Sequence, residues 1–123
     1  MAIPERRYTS TEAQARLTGE LAAWSVVEGH LSRDYRVNGF KSALLLANAI
    51  GHLAELAWHH PDLVVRYGGL TVRLRTHSAD AITEKDFALA RRIEEWVGWR
   101  PTQAQGPLDG TPSDPRFAYL AHD

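Results

Sequence analysis

The chain has no cysteine, which removes disulfides, thiolate nucleophiles and cysteine-ligated zinc together. It also lacks an excess of either charge. Lys and Arg number 14 against 15 Asp and Glu, a net charge of -1, so no general attraction to nucleic acid or to acidic membranes is expected. No apolar run suits a bilayer. The longest apolar-rich stretch, residues 43 to 58, is interrupted by Asn48, His52 and Glu55 and falls short of the roughly 20 residues a hydrocarbon core requires. Residues 1 to 8 contain Glu5, Arg6 and Arg7 and no apolar segment of the secretory type, which leaves the cytoplasm as the default compartment. Without a Gly-rich phosphate loop or a GxSxG elbow, phosphoryl transfer, dinucleotide redox chemistry and serine hydrolysis lose ground.

What is present fits one domain of 123 residues, with part of its stability expected from subunit contacts because a chain this short buries a modest share of its surface. Ser10, Thr11 and Glu12 offer capping groups before Ala13, Leu17 and Leu21, predicting a first helix that ends near residues 19 to 22. Trp24, Val26 and Glu28 alternate with their neighbours, Gly29 breaks the run, and alternation resumes through Leu31, Arg33, Tyr35 and Val37, predicting a hairpin. Asn38 and Gly39 turn the chain into a long helix from about Phe40 to His60, stopped by Pro61.

That helix carries one stripe through Phe40, Leu44, Ala47, Gly51, Ala54 and Trp58, and a second apolar set through Leu45, Leu46, Ala49, Ile50, Leu53 and Leu56. Two coverings of the extra face stay open, a second subunit or another helix of the same chain. A second hairpin is predicted from Leu63–Tyr67 and Leu70–Thr76 about a Gly68-Gly69 turn, with Leu70, Val72 and Leu74 facing the core. Thr83 and Asp86 form a capping box that opens a third helix ended by Gly98. Residues 101 to 114 read as irregular, and Arg116 to Leu120 as a segment docking back through Phe117 and Tyr119. The order αββαββα makes this an α+β fold with a four-stranded antiparallel sheet, over residues 1–99, followed by an irregular extension, 100–123.

Six histidines are present, and His59 and His60 stand together at the predicted helix end with Glu55 one turn earlier. On a continuing helix Glu55 and His59 share a face at i, i+4, while His60 points about 100° away. Thr76, His77 and Ser78 close the second hairpin, so a third imidazole can join the pair. Imidazoles titrate near neutrality and serve proton transfer in either direction. Two plainer readings compete. Glu55, His59, His60, His77 and Asp86 are all possible metal ligands, but adjacent helical histidines diverge and HExxH is absent, so no metal is expected. The pair can also simply cap a helix C-terminus, where positive charge is welcome. His30, His52 and His122 look like surface or turn residues, and Arg73 and Arg75 like a solvated sheet face.

The run Glu55, His59, His60, Pro61 and Asp62, then Tyr67, then Thr76 and His77, then Thr83 and Asp86, resembles the signature of the pterin-4a-carbinolamine dehydratases. The resemblance extends more weakly over residues 9 to 98, through Trp24, Tyr35 and Phe40. It implies four antiparallel strands with three helices on one face, dimers formed by sheet continuation, and tetramers formed by packing of the long helices. It implies a small-molecule pterin substrate and no cofactor, with His59, His60 and His77 binding the pterin and supplying general acid and base catalysis. By the same resemblance Glu55 orients the cluster, Pro61, Thr76, Ser78 and Ala79 shape the pterin edge, and Asp86 contacts substrate or caps its helix. Relatives also serve as a transcriptional coactivator or as assembly factors for a carboxylase, so a non-catalytic binding module is the alternative. The chain departs from the pattern at Ser78, where many members are acidic, at Ala81, where Gly is common, and at Trp58, where Asn or a smaller residue is frequent. The bulk of Trp58 is expected to narrow the pocket.

Overall fold

The computed structural model describes residues 5–121; the expectations for residues 1–4 and for His122 lie outside the described residues. Helix α1 (Ser10–Ala15) is opened by Thr9 rather than by Ser10 or Thr11. The Thr9 hydroxyl accepts the Glu12 N–H, and the Glu12 carboxylate accepts the Thr9 N–H at 2.9 Å. It ends earlier than its apolar pattern suggests. Tightened i→i+3 bonds close it at Arg16 and Leu17, and a separate 3-10 turn at Gly19–Leu21, entered through Gly19 at φ +59°, carries Leu21 inward.

Strands β1 (Ser25–Val27) and β2 (His30–Arg36) meet at Glu28 and Gly29, both at positive φ, a mirror-image turn that follows the strand twist. Strands β3 (Asp62–Arg66) and β4 (Gly69–Leu74) are joined by Tyr67 and Gly68, one residue before the expected Gly68-Gly69 turn. Gly69 is instead a strand residue, where a Cβ would come within 3.1 Å of the Tyr35 carbonyl oxygen. The four strands form one antiparallel sheet in the order β1-β2-β4-β3.

Period-two alternation divides the sheet into two faces. Leu31, Tyr35, Leu70, Val72 and Leu74 are buried against Leu46, Ile50 and Leu53 of α2 (Phe40–Ala57) and Phe87, Ala90 and Ile93 of α3 (Glu84–Val97). Each buried Leu, Ile, Val or Phe among them contributes about 1.5–3 kcal/mol on leaving water. The other face carries Asp34, Arg66 and Thr71 in a polar network and Arg73 beside Glu28. One ion pair sits on the covered face. The Glu94 Oε1 atom accepts from Arg33 Nε at 2.8 Å, Tyr35 at 2.7 Å and the Trp24 indole at 2.8 Å, tying α3 to β2. Burial, then the neighbouring Glu94 carboxylate, pushes the Tyr35 phenol above its ordinary range.

The packed face of α2 consists of Ala43, Leu46, Ile50, Leu53 and Ala54, which draws on both apolar sets read from the sequence and follows neither alone. Leu44, Leu45 and Leu56 are exposed. The C-terminal segment does return, but through Leu120. That side chain is buried and bridges Val37, with Asn38 N–H donating to the Tyr119 carbonyl and Ala121 N–H to that of Arg36. Phe117 and Tyr119 remain exposed, because the backbone bonds turn Leu120 inward. No helix among the described residues is long and apolar enough to cross a membrane.

Candidate functional site

Helix α2 stops at Ala57, three residues before its predicted end, and the stop decides where the two histidines go. Trp58 takes the left-handed conformation. Its N–H donates to the Glu55 carbonyl and the His59 N–H to that of Ala54, the paired bonds of a Schellman motif. His59 and His60 therefore lie beyond the helix, and the expected i, i+4 pairing of Glu55 with His59 does not form. Glu55 pairs with His60 instead, in an exposed contact. The His60 ring also meets the Trp58 indole edge-on, with centroids 5.0 Å apart.

His59 turns the other way, into the protein. Its Nε2 lies 2.6 Å from Oδ1 of Asp86, a carboxylate with no exposed side-chain surface. The second oxygen of Asp86 accepts the Thr83 N–H at 2.9 Å, which is the capping box of α3, and the Thr76 hydroxyl at 2.8 Å. Thr76 and Thr83 hydroxyls are 2.7 Å apart, and the Thr83 hydroxyl caps the Lys85 N–H. Strand register explains the meeting. Asp62, three residues after His59, is opposite Arg73, three residues before Thr76, so both segments leave the same end of the β3–β4 hairpin.

A carboxylate is acceptor-only, so Nε2 is the donor in the His59–Asp86 bond and Nδ1 is the ring nitrogen that Asp86 does not engage. The start of α3 is pinned from outside as well. Glu84 receives Arg16 at 2.6 Å and the Tyr8 hydroxyl, and Arg16, then Tyr8, lowers its carboxyl to about 2.

His77 opens an exposed 3-10 turn, His77–Ala79. A bridge between Thr76 and Ala81 closes this loop, and Arg75 braces its far side by donating to the Asp80 carbonyl at 2.6 Å and carboxylate at 2.8 Å. Arg75 is thus a loop brace rather than only part of a solvated sheet face. Ser78 is exposed and Pro61 half-buried, whereas the Thr76, Ala79 and Asp86 side chains are buried. These three side chains have almost no exposed surface of their own. Thr76 bonds Asp86 and Thr83, Asp86 in turn meets His59, and Ala79 is buried.

Sequence reasoning took Thr83 only as a cap; its Thr-x-x-Asp spacing was the available signal, while nothing local pairs Arg75 with Asp80. A groove of about 690 Å³ runs between α2 and α3, lined by Leu53, Leu56, Trp58, His59, Arg92 and Trp96 among others. Among the described residues, no three His, Cys, Asp or Glu side chains are gathered closely enough to hold a metal ion. The three imidazoles thus differ in setting: His59 is bonded to the buried Asp86, while His60 and His77 are exposed on adjoining turns.

Residues 6–96 match the sequence profile of the family described as Pterin 4 alpha carbinolamine dehydratase. A protein of Aquifex aeolicus carrying the pterin-4-alpha-carbinolamine dehydratase name is 37% identical over 91 residues, covering 74% of this chain and 92% of its own length. One of Thermomicrobium roseum with the same name is 41% identical over 81 residues, covering 66% and 87%. A crystal structure described as a transcriptional coactivator/pterin dehydratase from Brucella melitensis superposes with a TM-score of 0.60 at 27% identity, over 72% of this chain and 95% of that one. The αββαββα architecture, the His59–Asp86 pair and these matches lead to one conclusion: the chain belongs to the pterin-4a-carbinolamine dehydratase family, a family of hydro-lyases.

Proposed function

We propose that this protein dehydrates 4a-hydroxytetrahydropterin to quinonoid dihydropterin by histidine acid–base catalysis, returning pterin to an aromatic amino acid hydroxylase. The observation that carries this reading is the buried Asp86, which accepts from Nε2 of His59 and leaves Nδ1 as the ring nitrogen not engaged by it. In the reaction a base takes the pterin N–H proton, that electron pair forms the C=N bond, and the C4a–O bond breaks as an acid protonates the departing oxygen; water leaves. His59 is the base at Nδ1. His77, exposed on its braced loop, is the acid, and His60, paired with Glu55, holds the pterin with Pro61 and Ser78 at its edge. Thr76 and Asp86 act through His59. Ala79 contributes backbone only.

Exposed Leu44, Leu45 and Leu56 on α2 support a homodimer or homotetramer built on that helix, which sedimentation of the purified protein tests directly. The same surface favours a second reading, a non-catalytic binding module, in keeping with the coactivator description of the Brucella melitensis protein. The deciding experiment measures how fast purified protein accelerates dehydration of freshly generated 4a-hydroxytetrahydropterin, against His59→Ala and His77→Ala. Acceleration lost in both variants supports the enzyme and its residues. No acceleration by the wild type overturns the reading in favour of the binding module.

A further inference from the structure

Trp58 carries observations that the acid and base roles leave unused. It sits at φ 51°, ψ 45°, a left-handed conformation in which Cβ crowds the backbone and bulky side chains are rare. Gly or Asn would end α2 with the same paired hydrogen bonds at lower cost. The indole gains no burial in return, being 76% exposed. Neither helix capping nor core packing therefore accounts for a tryptophan here. What the indole does face is the reactive end of the molecule. It meets His60 edge-on, and it lines the α2–α3 groove together with His59, Leu53, Leu56, Arg92 and a second exposed indole, Trp96. A strained, exposed aromatic that touches one imidazole and lines a groove with another is an outlier of the kind kept for a ligand.

We propose that Trp58 is the platform on which the substrate's pteridine ring stacks as it occupies the α2–α3 groove, with Trp96 lining the same groove from α3. A flat fused heterocycle suits this site because it offers a π-face to the indole and a polar edge to the imidazole that lines the same groove. The inference rests on the dehydratase reading and adds to it the residue that selects a planar bicyclic substrate. Trp58 has no proton to give to the reaction, so it acts on binding and not on the proton transfers.

The test compares wild type, Trp58→Asn and Trp58→Phe by three readouts: thermal midpoint, isothermal titration with a stable 7,8-dihydropterin, and the KM and kcat of dehydration. Trp58→Asn is expected to keep or raise the midpoint, since Asn accepts the left-handed conformation. Dihydropterin should bind it about tenfold more weakly, with KM raised by a similar factor and kcat changed far less, and Trp58→Phe should recover most of the loss. Should Trp58→Asn fail to fold, Trp58→Gly reports the same quantities. Dihydropterin affinity and KM within twofold of wild type in the Asn or Gly variant overturn the platform while leaving the dehydratase reading intact. A wild type that neither binds dihydropterin nor speeds dehydration overturns both.

Discussion

On one side of the left-handed turn at Trp58, the His60 ring is 50% exposed and pairs with a Glu55 carboxylate that is 64% exposed. On the other side, the His59 ring is 14% exposed and bonds an Asp86 carboxylate that is wholly buried and already holds Thr76 and Thr83. The two residues are identical in type and adjacent in sequence. Water and salt screen the first pair and let it exchange partners, so it contributes little to stability. The second pair lies inside a saturated hydrogen-bond network, so removing any member strands the others. Adjacent histidines are thus divided in setting, one ring anchored to a buried carboxylate and the other left adaptable.

The largest expected effect bears on that division. His59→Ala should lower kcat about 10²–10⁴-fold, whereas His60→Ala should act mainly through KM. Equal losses of kcat in steady-state dehydration assays would break the comparison. Asp86→Ala comes next. It leaves the Thr83 N–H and His59 Nε2–H without an acceptor and breaks the Thr76 hydroxyl's bond to the carboxylate, and should cost about 2–4 kcal/mol in urea unfolding along with most of the kcat. A cost no greater than that of an exposed pair would mean the network is not what holds His59. Thr76→Val removes one bond to Asp86 and should cost about 1 kcal/mol in the same unfolding assay.

Smaller effects sharpen the contrast from the exposed side. Glu55→Gln should change stability by less than about 1 kcal/mol. Glu84, held to about 2 by Arg16 and then Tyr8, has a folded value below its ordinary 4.5. Its contribution is therefore complete above 4.5 and lost as the pH falls toward 2. Because Glu84 is itself more than half exposed, solvent screening keeps this contribution small. Thermal midpoints of wild type and Arg16→Leu should converge slightly between pH 4.5 and 2, and a constant gap across that window would remove Glu84 from the account.

Most element positions were legible because they rest on local contacts. The Thr83–Asp86 box, the Gly98 stop, the break at Gly29 and the inward face of β4 all depend on neighbours within a few residues. Local reading failed where a competing local or long-range contact prevailed. Thr9 displaced Ser10 as a cap because it alone completes a reciprocal pair with Glu12. Phe117 and Tyr119 yielded to Leu120 because backbone bonds to β2 set the phase of that segment. On α2 the two apolar stripes were each plausible alone, and packing against the sheet selected members of both.

The sequence by itself determined the order of elements, the antiparallel sheet and the family signature, since apolar period, turn residues and caps are properties of short windows. Only the tertiary structure decided which carboxylate each histidine meets. A helix carried to His60 would pair Glu55 with His59; the left-handed turn at Trp58 gives Glu55 to His60 instead. His59 then finds Asp86, 27 residues away, because the β3–β4 register and the start of α3 converge on the same buried point. That partnership joins separate elements, and no short window contains it.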